Sequence, residues 1–183
     1  CALPISRLGA DRVLTRGELE KLVLYTRDKR QIDVEDVDAI VGDASELAIE
    51  KVVLAAASGQ ANRALAEFDR VIASGESPQS VIAAVQWHFQ RLHRLRASIE
   101  AGQPADHAIR QIRPPVHFKT RPLLEAQCRT WTSGRLLSAL SQIAGATKAA
   151  RLNAALESPI AERLLLDLAH AATDDKSQRT KRA

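Results

Sequence analysis

Apolar side chains recur at three- and four-residue spacing along most of the chain, and no run alternates long enough for a strand. Val81, Ile82, Val85, Phe89, Leu92, Leu95 and Ile99 form the most extended series. That spacing keeps them on one face of a 3.6-residue helix. Ser77 ahead of the series is a good N-cap. Pro78 is tolerated at the first helical position, where an N–H would have no intrahelical acceptor. The series predicts the longest helix of the protein, from Pro78 through about five turns. Gly102-Gln103-Pro104 ends it and starts a short helix to about Gln111.

Upstream, Thr15-Arg16-Gly17-Glu18 has the spacing of a capping box, in which Glu18 reaches back to the cap residue. Leu19, Leu22 and Val23 follow as an apolar stripe ending near Arg30. Asp33 caps a second short helix with Val34, Val37, Ile40 and Val41 inward, and Gly42-Asp43 stops it. A third helix is predicted from Leu47 to Ala57, broken at Ser58-Gly59. A fourth runs from Ala61 to Ala73 with Ala64, Leu65, Phe68 and Ile72 on one face, and stops at Gly75. Further helices are predicted over Pro122–Trp131, from Arg135 to about Lys148, and from Pro159 to about Ala172. The fold class expected is all-α.

Between the helices lies Ile112-Arg113-Pro114-Pro115-Val116-His117-Phe118-Lys119-Thr120-Arg121-Pro122. Proline lacks the N–H and clashes with the preceding turn, so this stretch is not helix interior. It has no Gly or Ser, and it carries Val116, Phe118 and several cations. It reads as a stiff, partly apolar, basic connector that sets the direction of the next helix. Residues 173–183 have no apolar side chain except the final Ala and read as a disordered basic tail.

Composition sharpens this picture. Apolar residues make up 45% of the 183 and aromatics only 3%, which favours packed helices over sheets. No apolar run approaches the roughly 20 residues of a membrane span. No signal-peptide pattern is present, and the chain does not begin with Met, so its start is expected to be a domain boundary. Cys1 and Cys128 have no metal-ligand spacing. Cys128 lies in a helical run and reads as a small buried hydrophobe, consistent with a cytoplasmic protein.

The net charge of +4 hides an asymmetry. Residues 1–90 hold 10 Lys/Arg and 14 Asp/Glu, a net of −4; residues 91–183 hold 16 and 8, a net of +8. A basic half suits phosphate or an acidic partner, or is an ordinary solvated surface. Arg91 and Arg94 lie three apart and share a helix face. Arg110, Arg113, Lys119 and Arg121 flank the connector. Arg91, Arg94, Arg113, Lys119 and Arg121 are therefore the candidate contacts to a partner or to DNA. The few aromatics give no stacking platform for single strands, and salt bridges to an acidic neighbouring subunit explain the same residues equally well.

Catalytic patterns are missing from the sequence. There is no Gly-rich phosphate loop and no Ser/His/Asp arrangement. His88 and His93 are five apart, on different helix faces, and His88 beside Trp87 reads as a packed or surface histidine. Asp33, Glu35, Asp36 and Asp38 are interleaved by Val34 and Val37 and read as an acidic first turn favoured by the helix dipole. No catalytic, cofactor-binding or metal-binding residue is assigned, and no cofactor is expected.

Several fragments together resemble a known family. Leu8-Gly9-Ala10-Asp11-Arg12, Arg16-Gly17-Glu18-Leu19-Glu20-Lys21-Leu22 with Tyr25, Asp36-Val37 and Gly42-Asp43 are similar to the delta subunit of the bacterial DNA polymerase III clamp loader. So are Gly75-Glu76-Ser77-Pro78, Gln86-Trp87-His88-Phe89-Gln90-Arg91-Leu92 and Arg113-Pro114-Pro115-Val116-His117-Phe118-Lys119, in the same order over residues 7–172. The resemblance implies a part of such a subunit. Residues 1–45 would be the end of the AAA+ lid and residues 46–172 the helical collar through which loader subunits assemble into a ring. The N-terminal domain that grips the sliding clamp would lie upstream, so no clamp contact transfers to any residue here. Primer–template DNA would be met weakly or indirectly. The family's delta subunit has no working ATP site, so the chain would be no enzyme by itself. It would belong to the DNA-directed DNA polymerase holoenzyme, a nucleotidyltransferase. The alternative is a stand-alone helical nucleic-acid-binding module, motivated by the +8 half. A small helical enzyme is a third reading, with no acid–base pair or nucleophile to support it.

Overall fold

The apolar series beginning at Val81 does form one buried face. Helix α3, Pro78–Glu100, buries Val81, Ile82, Val85, Phe89, Leu92 and Leu95. Its first turn is held by the Ser77 hydroxyl, which accepts from the Ser80 backbone N–H at 3.1 Å. The structure, a computed structural model, describes residues 44–112 and 120–180, with side chains from Ser45 to Thr173. The two helices expected over residues 15–41, and most of the proline connector, lie outside the described residues.

The other described helices are α1 (Ala44–Ala57), α2 (Ala61–Ala73), α4 (Ala105–Gln111), α5 (Arg121–Thr130), α6 (Ser133–Leu152) and α7 (Glu157–Thr180). A short 3-10 turn, Ala154–Leu156, joins α6 to α7. No strand occurs among the described residues, and the fold is all-α. The chain divides into two compact units, Cys1–Leu47 and Ala48–Ala183. Within the second, α3 lies along α6 and also meets α4, α5 and α7, while α7 packs on α2, α3 and α6.

The centre of this bundle is aromatic despite the scarcity of aromatics. Phe89 and Trp131 are fully buried and meet edge to face at 4.8 Å between ring centroids. The Trp131 indole Nε1–H donates to the Ala57 carbonyl at 2.8 Å, so the ring is buried without an orphaned donor. Leu124, Leu136, Ile143, Leu165 and Leu168 complete the core. Each such side chain contributes about 1.5–3 kcal/mol by leaving water.

Three helices end the same way. After α1, Gly59 N–H bonds back to Ala56 and Gln60 N–H to Ala55; the same pair of bonds recurs at Gly75-Glu76 and at Gly102-Gln103. This is the Schellman arrangement, which closes the last carbonyls of a helix through one left-handed residue. At Gly59, with φ +79°, a Cβ would also stand 2.7 Å from Thr173 Cγ2 on α7. Glycine there serves both backbone conformation and close approach of α7.

Element limits depart from expectation at several helix ends. Helix α1 begins at Ala44 rather than Leu47, and α6 continues to Leu152 rather than Lys148. The expected end of the last helix at Ala172 is corrected: the α7 backbone is helical to Thr180, with residues 181–183 outside the described residues. Residues 173–180 contain no Gly or Pro to stop a helix. Adding a residue to an existing helix is far easier than nucleating one, so a docked helix propagates through a polar stretch. As a result α7, at 24 residues, exceeds α3, at 23, as the longest helix.

Candidate functional site

The five candidate cations fare differently. Arg91 and Arg94 are brought together on α3, where both line a groove of about 310 Å³ facing α4. Arg113 and Lys119 lie outside the described residues. Arg121 opens α5 and is half-buried; its Nε has no hydrogen-bond partner in the structure.

Arg94 is exposed, as expected of a surface cation. Arg91 is not: it is only 8% accessible. Its guanidinium stacks over the Trp87 ring at 4.7 Å, one turn earlier on the same helix. Trp87 itself is 44% exposed, so the stacked pair has one face towards solvent. Burial, above all, pulls the Arg91 pKa below its ordinary value, partly offset by the charge of Glu50. An arginine stays protonated all the same.

Behind Arg91 runs a buried polar chain. Arg91 Nη2 lies 3.1 Å from His88 Nδ1, His88 Nε2 lies 2.9 Å from Gln127 Oε1, and Gln127 Nε2 donates to Ser58 Oγ at 2.9 Å. The protons can be assigned from these contacts. Arginine only donates, so His88 Nδ1 accepts and Nε2 carries the hydrogen that Gln127 Oε1 receives. Burial, joined by the charge of Arg91, pushes the His88 pKa down to about 3. The imidazole is thus neutral, and a neutral ring is what the relay requires. The relay ties α3 to α5 and to the end of α1, and it fixes where Arg91 stands.

The rest of the groove is apolar and neutral polar. Leu95, Ala108 and Ile112 supply hydrocarbon; Ser98, Gln103 and Gln111 supply hydroxyl and amide groups. No carboxylate lines it among the described residues. Neighbouring cations are already engaged. Arg96 pairs with Glu100 at 2.8 Å and donates to the Cys128 carbonyl, and Arg110 pairs with Asp106. The hydrogen bond from Arg110, then the charges of Arg110, Arg121 and His107, hold the Asp106 carboxyl below its usual range.

Among the described residues, no group of three or more His, Cys, Asp or Glu side chains is placed to hold a metal ion. Cys128 is a free, buried thiol whose pKa is pushed up to about 11 by burial, so it is protonated and a poor nucleophile. No helix among the described residues is long and apolar enough to cross a membrane. Sequence reasoning found Arg91 and Arg94 but missed Trp87, His88 and Gln127 as the groups that position Arg91. Spacing carries part of that signal, since Trp87 and His88 lie four and three residues before Arg91.

No protein-family model matches the sequence, and no curated protein matches it. Among solved structures, the fold is similar to that of the Bacillus subtilis DNA clamp loader delta protein (YqeN), with a TM-score of 0.61 at 19% identity. The similarity covers 87% of this chain and 46% of that one, so the chain spans under half the length of that protein. At this identity the likeness is one of fold: an all-α, clamp-loader-like arrangement of helices.

Proposed function

We propose that this chain is an assembly element of a DNA clamp loader: the lid end (residues 1–45) and collar (residues 46–172) of a delta-type subunit. The observation that carries the reading is the fold likeness over 87% of the chain. The colinear sequence fragments from Leu8 to Lys119 support it independently. In this reading the collar packs against other loader subunits, and the sliding clamp is reached only through a domain upstream of residue 1. Primer–template DNA is met weakly or indirectly. The chain hydrolyses no ATP by itself and acts in the cytoplasm as part of the DNA polymerase III holoenzyme.

Arg91, Arg94, Arg113, Lys119 and Arg121 are the proposed partner contacts. The pairing of Arg96 and Arg110 with neighbouring carboxylates, and the burial of Arg91, favour protein contacts over a nucleic-acid-binding module. A polyanion needs a track of unpaired cations.

The test is co-expression of the full chain with the remaining loader subunits, followed by affinity capture and gel filtration. A single co-eluting complex is expected, weakened by Lys119→Glu or Arg94→Glu without loss of the thermal transition. Elution of the chain apart from every loader subunit overturns the proposal.

A further inference from the structure

The groove between α3 and α4 combines features that an ordinary surface depression lacks. Arg91 is a nearly buried cation whose Nε has no hydrogen-bond partner. Its position is fixed from behind by His88 and from the side by the Trp87 ring. Holding a guanidinium in place removes the side-chain entropy that a partner would otherwise have to overcome. Arg94 stands on the same wall and adds a second charge, while Leu95, Ala108 and Ile112 offer apolar surface within the same groove.

Leaving such a cation without a carboxylate costs stability unless something compensates. Glu50 lies near enough for its charge to act on Arg91, while the hydrogen bond and ring contact that hold the guanidinium are to the neutral His88 and Trp87. The site is therefore electrostatically incomplete. Its complement is compact: one or two carboxylates at Arg91 and Arg94, with an aliphatic side chain a few ångströms away. An extended phosphate chain finds no further free cation along these helices, because Arg96 and Arg110 are paired with Glu100 and Asp106.

We infer that the α3–α4 groove is a docking site for an acidic, leucine-bearing peptide segment of a partner protein. A glutamate or aspartate of that segment pairs with Arg91 and Arg94, and its apolar side chain rests against Leu95, Ala108 and Ile112. Trp87, stacked on Arg91, holds the guanidinium in place and reports on its surroundings. An exposed Trp stacked on a nearly buried Arg belongs to the residue types that dominate binding energy at protein interfaces. This inference does not depend on the clamp-loader reading, and peptide binding and loader co-purification fail separately.

The experiment uses tryptophan fluorescence of the full chain titrated with a short blocked peptide of glutamates and leucines. Trp87→Phe assigns the signal, since Trp131 is fully buried and insensitive to the groove. Saturable binding is expected, weakened about tenfold or more when glutamine replaces glutamate, when serine replaces leucine, and in Arg94→Glu. Arg91→Lys keeps the charge but loses the stack, and is expected to weaken binding in the same direction. Arg94 is exposed, so its variant keeps the wild-type melting transition. Absence of binding overturns the inference, as does equal affinity of the glutamine peptide or of Arg94→Glu. An oligothymidylate of equal charge that binds as tightly as the peptide assigns the groove to nucleic acid and overturns it too.

Discussion

At the scale of single residues, Phe89 and His88 are the most consequential neighbours in the molecule. Phe89 is completely buried against Trp131. Phe89→Ala is expected to cost about 3–5 kcal/mol, the sum of lost transfer energy and the cavity left under the indole. A thermal or urea melt reads this directly; a loss well below 1 kcal/mol would show that the core closes over the gap. His88 makes stability depend on acid. Its folded pKa of about 3 lies below the ordinary 6.5, so the unfolded chain binds the extra proton between these values. Stability from this group is full above about pH 6.5 and falls as the pH drops towards 3, by on the order of 5 kcal/mol at the acid limit. Urea midpoints measured from pH 7 to pH 4 should therefore fall more steeply for the wild type than for His88→Gln. Parallel slopes would place the imidazole in contact with water.

At the scale of elements, the glycines separate two physical roles. Gly59 has positive φ and a Cβ there would press on Thr173, so Gly59→Ala is expected to destabilise by about 1–3 kcal/mol. Gly145 sits inside α6 with open space where a Cβ would go. Gly145→Ala should stabilise by about 0.5–1 kcal/mol through helix propensity. Melts of the two variants must move in opposite directions. Much at this scale was legible beforehand. Ser77-Pro78 and the Val81–Leu95 spacing specify α3 because cap chemistry and periodicity agree. Gly59, Gly75 and Gly102 mark helix ends for the same reason. The extension of α7 to Thr180 was not legible, because a polar helix carries no periodic signal. The candidate site was half legible. Arg91 and Arg94 share a face by spacing alone, but arginine is rarely buried, and nothing local announces that Trp87 covers it. The His88–Gln127 bond joins residues 39 apart in sequence, and only tertiary packing creates it.

At the scale of the whole molecule, charge is unevenly spread, with +8 on residues 91–183 against −4 on residues 1–90. Any DNA affinity should be weak and lost with rising salt at about one power per phosphate contact. Fluorescence anisotropy with a labelled primer–template across a salt series measures that slope. Salt-insensitive or sequence-selective binding would instead favour a dedicated nucleic-acid module. The seating of α7 has a further consequence, for biosynthesis. Helix α7 packs on α2, α3 and α6, and Thr173 closes over Gly59 more than a hundred residues earlier in the chain. A ribosome that has made everything up to Glu157 has therefore made a bundle with an open side. The faces of α2, α3 and α6 that α7 covers stay open until translation delivers the buried Leu164, Leu165 and Leu168. Contacts this distant in sequence form late. The interval before they form is when the chain most needs a chaperone, and when a slow codon ahead of α7 would do most harm.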